Sequence, residues 1–201
     1  MKKKIIITGG LGYIGTELCK LYSGVSWNNQ IIVIDNRFIS ERVNQIRNWN
    51  MEFVHGDILD KDLIKKYCKD ADIIHHLAGV TDVPRTKSES TKEKDEKIKL
   101  VAEEGTQNIL DAIDKNCKII FPSTHVVYEG IDKVKNNISE EEDLKPILAY
   151  ASSKAINEKQ LKNSGKNYII LRLGSVYGYS TDTTRIDIMP NLFSKIASQD
   201  G

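Results

Sequence analysis

The sequence has no long hydrophobic run and no excess of one charge, and both absences exclude classes of partner. Its 201 residues include 29 basic and 28 acidic side chains, which leaves a net charge of +1. A chain balanced in this way is not expected to bind nucleic acid or an anionic membrane through its overall charge. No apolar run approaches the roughly 20 residues of a membrane-spanning helix. The opening stretch, MKKKIIITGG, is too briefly apolar for a signal peptide and predicts a strand.

Cysteine and histidine are scarce as well. The three cysteines, Cys19, Cys68 and Cys117, lie far apart and form no C-x-x-C pair. This pattern favours a reduced, cytoplasmic setting and argues against a structural zinc site. His75 and His76 are adjacent and the other histidines are distant, so we see no metal-ligand spacing and predict no metal site.

Short runs rich in Ile and Val alternate with helical patterns along the chain. Such runs are typical of strands covered on both faces, and the alternation is typical of right-handed parallel crossovers. The pattern predicts an α/β fold, a Rossmann-type doubly wound parallel sheet with helices on both faces. The predicted strands are residues 4–8, 30–34, 51–55, 72–77, 118–122 and 168–173, and the predicted helices are residues 13–21, 61–68, 98–116, 150–162 and 186–196. Residues 81–99 predict a charged loop with a helix start, and residues 129–147 predict a long loop.

A glycine-rich turn joins the first predicted strand to the first predicted helix. Gly9 permits a tight turn, Gly12 a close approach of the backbone to a pyrophosphate, and Gly15 close packing of the helix on the strand. The helix N-terminus offers free N–H groups and a positive dipole end to phosphates. Asp35 ends the second strand, about 20 residues further on, where a carboxylate accepts hydrogen bonds from ribose hydroxyls. This segment predicts a dinucleotide site.

Asp35 also bears on which dinucleotide binds. A carboxylate at this position repels the 2′-phosphate of NADP, and this repulsion favours NAD as the cofactor. Arg37 follows two residues later and could neutralise the repulsion. We therefore expect NAD, with NADP as the alternative.

The segment AYASSK places Tyr150 and Lys154 four residues apart. On a helix this spacing brings both side chains to one face, one turn apart. Taken alone, the pair also fits two ordinary solvent-facing side chains. A tyrosine has a pKa of about 10, and an ammonium within about 4–6 Å lowers it. We expect Lys154, together with a positively charged nicotinamide, to acidify Tyr150 for acid–base chemistry.

Eight segments together resemble the extended short-chain dehydrogenase/reductase family, which includes epimerases and dehydratases of nucleotide sugars. They occur in the family's order and at its spacing, and they span nearly the whole chain. The segments are TGGLGYIG at 8–15, IDN at 34–36, GDI at 56–58, HLAG at 76–79, EGTQNIL at 104–110, FPSTHVVYEG at 121–130, YASSK at 150–154 and LRLGSVYG at 171–178.

The resemblance implies roles for individual residues. Tyr150 would take a proton from a sugar hydroxyl, Lys154 would hold the nicotinamide ribose, and Thr124 would hydrogen-bond the reacting oxygen. Ser123 is the adjacent alternative to Thr124. The implied cofactor-binding residues are Gly9, Gly12, Tyr13, Ile14, Gly15, Asp35, Asn36, Asp57, Ile58, Leu77, Ala78, Gly79, Ser123, Tyr150 and Lys154. The implied substrate-binding residues are Thr81, Thr124, His125 and Ser175.

Departures from the family pattern narrow the implied activity. The family's 4,6-dehydratases carry an Asp-Glu pair directly after the catalytic threonine, where this chain has His125 and Val126. Its sugar-acid decarboxylases carry Glu at the position of Val126. Epimerases need neither residue, so the resemblance favours an NAD-dependent epimerase of a nucleotide sugar that works through a keto intermediate. The alternatives are a ketoreductase or dehydrogenase of the same fold acting on another carbonyl or alcohol, and a non-catalytic dinucleotide sensor.

The resemblance also implies a domain division. We expect residues 1–178 to form the NAD-binding Rossmann domain and residues 179–201 to begin a substrate-binding lobe that is largely missing from this sequence. Family members often pair through two helices per subunit, so a homodimer is expected. The expected partner is a nucleotide sugar or a related small molecule.

Overall fold

The computed structural model describes residues 2–80, 87–182 and 185–200. Its centre is a six-stranded parallel sheet in the order β3-β2-β1-β4-β5-β6. The fold class predicted from the sequence is confirmed. The strands are β1 Lys4–Thr8, β2 Gln30–Asp35, β3 Glu52–His55, β4 Ile73–His76, β5 Lys118–Thr124 and β6 Asn167–Leu173. The helices are α1 Tyr13–Ser23, α2 Ser40–Asn48, α3 Lys61–Cys68, α4 Lys92–Ala112, α5 Ala149–Asn163 and α6 Met189–Asp200.

Side chains alternate between two cores, one on each face of the sheet. On β1, Ile5 and Ile7 join the core that includes residues of α1 and α2. Ile6, between them, joins the larger core that includes residues of α3, α4 and α5. Successive residues of a strand point to opposite faces, so the Ile-Ile-Ile run serves both cores. Helices therefore cover both faces, as a doubly wound sheet requires.

The strand order changes direction between β1 and β4. The chain runs outward through β1, β2 and β3, then returns to place β4 on the other side of β1. Loops after β1 and β4 diverge at such a point and leave a crevice at the carboxyl ends of the strands, where ligands of open α/β sheets bind. The strand order therefore predicts a ligand site at the carboxyl ends of β1 and β4.

Helix α2, at Ser40–Asn48, is absent from the sequence-based prediction. Only Val43 and Ile46 are buried in it, so a single i, i+3 pair was its entire apolar signal. The start of α4 was also placed wrongly. The helix begins at Lys92, because the Thr91 hydroxyl accepts a hydrogen bond from the Lys94 N–H at 3.3 Å. Its apolar periodicity begins only at Ile98, which is where the prediction started it.

The long loop between β5 and α5 is held at both ends. The Gly130 N–H donates to Lys145 O, and the Lys145 N–H donates to Val127 O, each at 2.8 Å. The Glu129 carboxylate accepts from the N–H groups of Ile147 and Leu148 at 2.7 and 2.9 Å. These backbone groups lead directly into α5, so Glu129 fixes where that helix begins.

The described residues also bear on membrane insertion, on the cysteines and on metal binding. Within the described ranges, no helix is both long and apolar enough to cross a bilayer. Cys19, Cys68 and Cys117 are buried free thiols. The described residues contain no cluster of three or more His, Cys, Asp or Glu side chains that could hold a metal ion.

The burial of α5 leads to a test of stability. Leu161 on this helix is fully buried, whereas Leu21 on α1 is 78% exposed. We expect Leu161→Ala to lower the free energy of unfolding by about 2–5 kcal/mol, because it leaves a cavity in the larger core. The same substitution at Leu21 should change it by less than about 0.5 kcal/mol. Urea unfolding of both variants measures the difference, and equal losses would contradict the assigned packing of α5.

Candidate functional site

The glycine-rich turn lies against the end of β4. Gly9 has a φ of +69°, and a Cβ added there would lie 2.7 Å from the Ala78 Cα. A Cβ on Gly15 would lie 2.4 Å from Gly9 O. Both values are far below an ordinary van der Waals contact, so only glycine fits at either position. The turn and the Leu77–Ala78 backbone therefore form one continuous wall of the crevice.

Helix α1 points its N-terminus into that crevice. It begins at Tyr13, after Gly12, and no side chain caps it. The first N–H groups of a helix have no partner within the helix, and they carry the positive end of its dipole. Tyr13, Ile14 and Gly15 supply these groups here. The arrangement suits an anion such as a pyrophosphate.

Asp35 connects the end of β2 to the turn. Its carboxylate accepts a hydrogen bond from the Leu11 N–H at 2.9 Å and another from the Arg37 N–H at 2.9 Å. The Arg37 guanidinium also pairs with it, with Nε 3.3 Å from Oδ1. Asp35 is 5% exposed. The residue expected to accept from a ribose therefore also holds the shape of the turn.

Of the other predicted cofactor-binding residues near Asp35, two lie at the carboxyl ends of the strands and the third is in the core. Asn36 donates from Nδ2 to an Asp57 carboxylate oxygen at 2.9 Å, so these two lie together at the carboxyl ends of β2 and β3. Ile58 does not share this position. Its side chain belongs to the larger core, where it packs so tightly on Gly105 that a Cβ there would lie 2.3 Å from it. Only the backbone of Ile58 is left to contact a cofactor.

A buried histidine supports the cofactor-facing end of β4. The Ala78 N–H donates to the Thr8 hydroxyl at 3.2 Å, and Thr8 Oγ1 lies 3.1 Å from His76 Nδ1. His76 Nε2 lies 3.0 Å from the Thr106 hydroxyl. Burial, and to a lesser extent the Lys154 ammonium, lowers the pKa of His76 to about 3. His76 is thus a neutral structural residue that ties α4 to the turn beside Ala78 and Gly79.

Thr124 and its neighbours occupy the end of β5. The Thr124 hydroxyl accepts from the Val126 N–H at 3.3 Å. The Ser123 hydroxyl points elsewhere and donates to Glu158 at 2.6 Å, which makes Ser123 a poor substitute for Thr124. The ring of His125 is exposed, with Nδ1 3.1 Å from Leu173 O. Ser175 is exposed in the segment after β6, and Thr81 lies outside the described residues.

Tyr150 and Lys154 share one face of α5, as their spacing predicted. Lys154 Nζ donates to Pro122 O at 2.9 Å and lies 4.4 Å from the centre of the Phe121 ring. It is 5.8 Å from the centre of the Tyr150 ring. Lys154 thereby connects the tyrosine's helix to the strand that ends in Thr124.

The expected acidification of Tyr150 is not seen in this arrangement. Burial raises the pKa of Tyr150, and the Arg185 guanidinium lowers it by a smaller amount. Burial also lowers the pKa of Lys154 to about 8. The physical reason is that a partly buried phenol loses hydration, while the ammonium that should compensate is directed at Pro122 O. The joint effect of Lys154 and a positively charged nicotinamide on the pKa of Tyr150 stays a prediction.

Sequence reasoning missed a third residue on the same face of α5. Glu158 is four residues beyond Lys154, and its buried carboxylate accepts from Arg172 Nη2 at 2.7 Å and from Ser123 Oγ. Burial by itself raises the pKa of Glu158, but the Arg172 and Ser123 hydrogen bonds outweigh burial and leave the pKa below its usual value. The spacing that singled out Lys154 would have found Glu158 as well.

The segment after β6, which contains Ser175, also contacts the start of α1, and sequence reasoning did not foresee that contact. The Tyr13 hydroxyl donates to Gly178 O and accepts from Asn191 Nδ2 at 3.1 Å. The Ser180 hydroxyl donates to Tyr13 O at 3.4 Å. Asp182, further along, is buried next to Arg42 with 3.0 Å between the charged atoms. No sequence pattern links these residues, because they are more than a hundred positions apart.

The crowding at Gly9 leads to a test of the turn. Gly9→Ala should lower the free energy of unfolding by more than about 1–2 kcal/mol, because an L-residue is strained at this φ and its Cβ meets Ala78. Gly24 is a matched control, since its φ is −66° and nothing lies within 4 Å of an added Cβ. Gly24→Ala should change the free energy by less than about 1 kcal/mol. Thermal unfolding of both variants measures this, and a Gly9→Ala protein as stable as wild type would contradict the geometry.

The burial of His76 predicts how the free energy of unfolding depends on pH. Between pH 6.5 and about 3 the unfolded chain binds a proton at this ring and the folded chain does not. Acidification therefore favours unfolding in that window, by about 2–3 kcal/mol at pH 4.5 for a group shifted this far. Urea unfolding at pH 7 and 4.5 should show a smaller acid loss for His76→Gln than for wild type. A His76→Gln variant with the same acid loss as wild type would contradict the burial of a neutral ring at this position.

Comparison with known proteins agrees with the fold. The profile of the NAD dependent epimerase/dehydratase family matches residues 5–200. A dTDP-D-glucose 4,6-dehydratase from Dictyostelium discoideum is 31% identical over 198 residues, which cover 88% of this chain and 44% of that protein. A putative UDP-glucose 4-epimerase from Methanocaldococcus jannaschii is 31% identical over 186 residues, which cover 89% of this chain and 57% of that protein.

Solved structures agree as well. The UDP-glucuronic acid 4-epimerase from Bacillus cereus in complex with NAD has a TM-score of 0.76 at 26% identity, and the match covers 98% of this chain and 63% of that one. The chain spans about half the length of the relatives that its sequence matches. Because the family profile extends through the glycine turn, the end of β5 and helix α5 alike, the chain belongs to the NAD dependent epimerase/dehydratase family.

Proposed function

We propose that the protein is an NAD-dependent epimerase of a nucleotide sugar. The observation that carries the proposal is the docking of α5, with Tyr150 and Lys154, onto the strand that ends in Thr124. Lys154 makes the connection through Pro122 O at 2.9 Å. A proton-transferring tyrosine, a cation and a hydroxyl donor are the groups that removal of hydrogen from a sugar alcohol requires.

The residues at the crevice fit a dinucleotide. The close contact of Gly9 with Ala78 and the uncapped start of α1 leave a smooth, positively polarised surface for the pyrophosphate. Asp35 would accept from the adenosine ribose, and Asn36 and Asp57 would lie beside it. The NAD complex of the Bacillus cereus relative supports this assignment. When bound, NAD supplies the hydride acceptor and donor of the reaction.

Tyr150 and Lys154 would handle the proton. The raised pKa keeps the Tyr150 hydroxyl protonated at neutral pH. To accept a proton from a sugar hydroxyl, Tyr150 needs a cation near its phenol oxygen, which lowers its pKa. We propose that Lys154 turns from Pro122 O toward the Tyr150 hydroxyl when ligands fill the site. The Thr124 hydroxyl would donate to the same sugar oxygen as it becomes a ketone.

The residues after Thr124 favour epimerisation over dehydration. His125 and Val126 stand where an eliminating acid–base pair would be needed, and neither is a carboxylic acid. Relatives of both kinds match the chain, so this local difference is what separates the two activities.

We further propose a cytoplasmic homodimer in which residues 1–178 bind NAD and residues 179–201 begin the substrate-binding lobe. We also propose Thr81 and Ser175, which lie outside that lobe, as substrate contacts.

The first experiment asks whether the purified protein retains a dinucleotide. The purified protein is denatured, and the supernatant is assayed for NAD and NADP. An epimerase returns its hydride within each cycle, so near-stoichiometric NAD is expected, together with interconversion of one sugar in a panel of UDP-, GDP- and dTDP-sugars. Consumption of cofactor in proportion to product would instead indicate the ketoreductase. A protein that binds neither dinucleotide would contradict the proposal.

The proposed role of Tyr150 gives a sharper test. Tyr150→Phe should reduce kcat by about 10²–10⁴-fold, the usual contribution of general acid–base catalysis. Its NAD content should remain within about twofold of wild type, because the substitution removes one hydroxyl and keeps the ring. Tyr168→Phe, on the partly exposed strand β6, is the matched control and should retain full activity. A Tyr150→Phe variant with wild-type turnover would exclude the mechanism and favour the sensor alternative.

A further inference from the structure

A cluster of four charged side chains surrounds the expected position of the adenosine ribose. Asp35 pairs with Arg37 at 3.3 Å, and Asp182 Oδ2 lies 3.9 Å from Arg37 Nη1 and 3.0 Å from Arg42 Nη1. Asp35 ends β2, Arg37 lies between β2 and α2, and Arg42 lies in the first turn of α2. The fourth, Asp182, comes from the segment after β6. Two acids and two bases make the cluster neutral.

The position of the two arginines would otherwise suit a phosphate. Arg37 follows the ribose-binding carboxylate by two residues, and its side chain is 42% exposed. The Arg42 guanidinium donates to Leu11 O in the glycine turn and to Thr181 O at 3.4 Å. Guanidinium groups bind phosphate in bidentate fashion. A pair of them beside a ribose would attract the 2′-phosphate that distinguishes NADP from NAD.

The position of Asp182 counters the attraction of the two arginines for a 2′-phosphate. Its side chain is fully buried, and its N–H donates to Ser180 Oγ at 3.2 Å. The Ser180 hydroxyl in turn donates to Tyr13 O at the start of α1. The carboxylate is therefore fixed against both arginines by the same segment that contacts the helix N-terminus. A carboxylate in so little water keeps its full electrostatic effect on its neighbours.

We propose that Asp182 is a specificity-determining residue of the cofactor site, whose carboxylate neutralises Arg37 and Arg42 and so excludes dinucleotides that carry a 2′-phosphate. This inference rests on the proposed function, in which the site binds NAD. Asp35 repels the phosphate directly, whereas Asp182 removes the positive charge that would compensate. Arg37 was the residue that left NADP open as an alternative, and its contacts with two carboxylates resolve that alternative in favour of NAD.

Replacement of Asp182 tests the proposal. Asp182→Asn keeps the shape and leaves the cluster with a net charge of +1, and a phosphate monoester carries about −1.5 to −2. The dissociation constant for NADP should fall by about tenfold or more, while that for NAD changes by less than about threefold. Titration calorimetry with NAD, NADP, 5′-AMP and adenosine 2′,5′-bisphosphate measures this without any turnover. The bisphosphate should gain affinity as NADP does.

Matched variants identify the cause. Asp187→Asn removes a carboxylate five residues further on, which lies 3.8 Å from Arg185, and it should leave both constants unchanged. Arg37→Gln combined with Asp182→Asn should abolish the gain in NADP affinity. Asp182→Glu, which restores the charge, should again exclude NADP. Asp182→Ser is measured in parallel, in case the Asn variant does not fold, and should gain NADP affinity in the same way.

The outcomes separate the two proposals. If wild type binds NAD and the folded Asp182 variants keep the wild-type ratio of NADP to NAD affinity, the role of Asp182 is overturned and the proposed function stands. The Arg37→Gln double variant has a neutral cluster again. If it keeps the gain, the gain does not follow the net charge of the cluster and the proposal is also overturned. If wild type binds neither dinucleotide, the proposed function fails, and the role of Asp182 fails with it.

Discussion

The close approach of the glycine turn to the end of β4 is the constraint on which the rest of the site depends. With no Cβ on Gly9, the chain passes within contact distance of Ala78 and still bonds across to β2, where the Gly9 N–H donates to Ile34 O at 2.7 Å. That single contact brings together three neighbouring strands at their carboxyl ends. It also sets the direction in which α1 leaves the sheet. Asp35, through Leu11, then holds the turn in the shape that the contact imposes.

The face of α5 is the second organising element, and polar contacts position it. Lys154 binds Pro122 O, and Glu158 binds the Ser123 hydroxyl, so two successive residues at the end of β5 are each tied to the helix that carries Tyr150. Buried charges are strongly destabilising when they lose a partner, and Arg172 provides that partner for Glu158. The same contacts that keep these charges paired therefore determine where the reacting groups lie relative to Thr124.

Local sequence patterns predicted most of the fold. Within the described residues, five of the six α-helices were visible as helical patterns and all six strands as near-continuous apolar runs. Strands covered on both faces of a parallel sheet are apolar throughout, and helices packed on it are apolar on one side. Helix α2 was missed because it buries only Val43 and Ile46. The spacing of Gly9, Gly12 and Gly15, with Asp35 after the next strand, was also sufficient for the dinucleotide prediction, since backbone geometry limits such a turn to glycine.

The sequence by itself thus determined the sheet, the turn and the helical face of Tyr150 and Lys154, because these depend on residues close together in the chain. The tertiary structure alone decided the electrostatics. Arg42 and Asp182 are distant in sequence, and only the return of the chain after β6 pairs them at 3.0 Å. The tertiary structure likewise directs Lys154 to Pro122 O and leaves Tyr150 with a raised pKa. Charge interactions depend on distance and on exclusion of water, and neither quantity can be read from spacing along the chain.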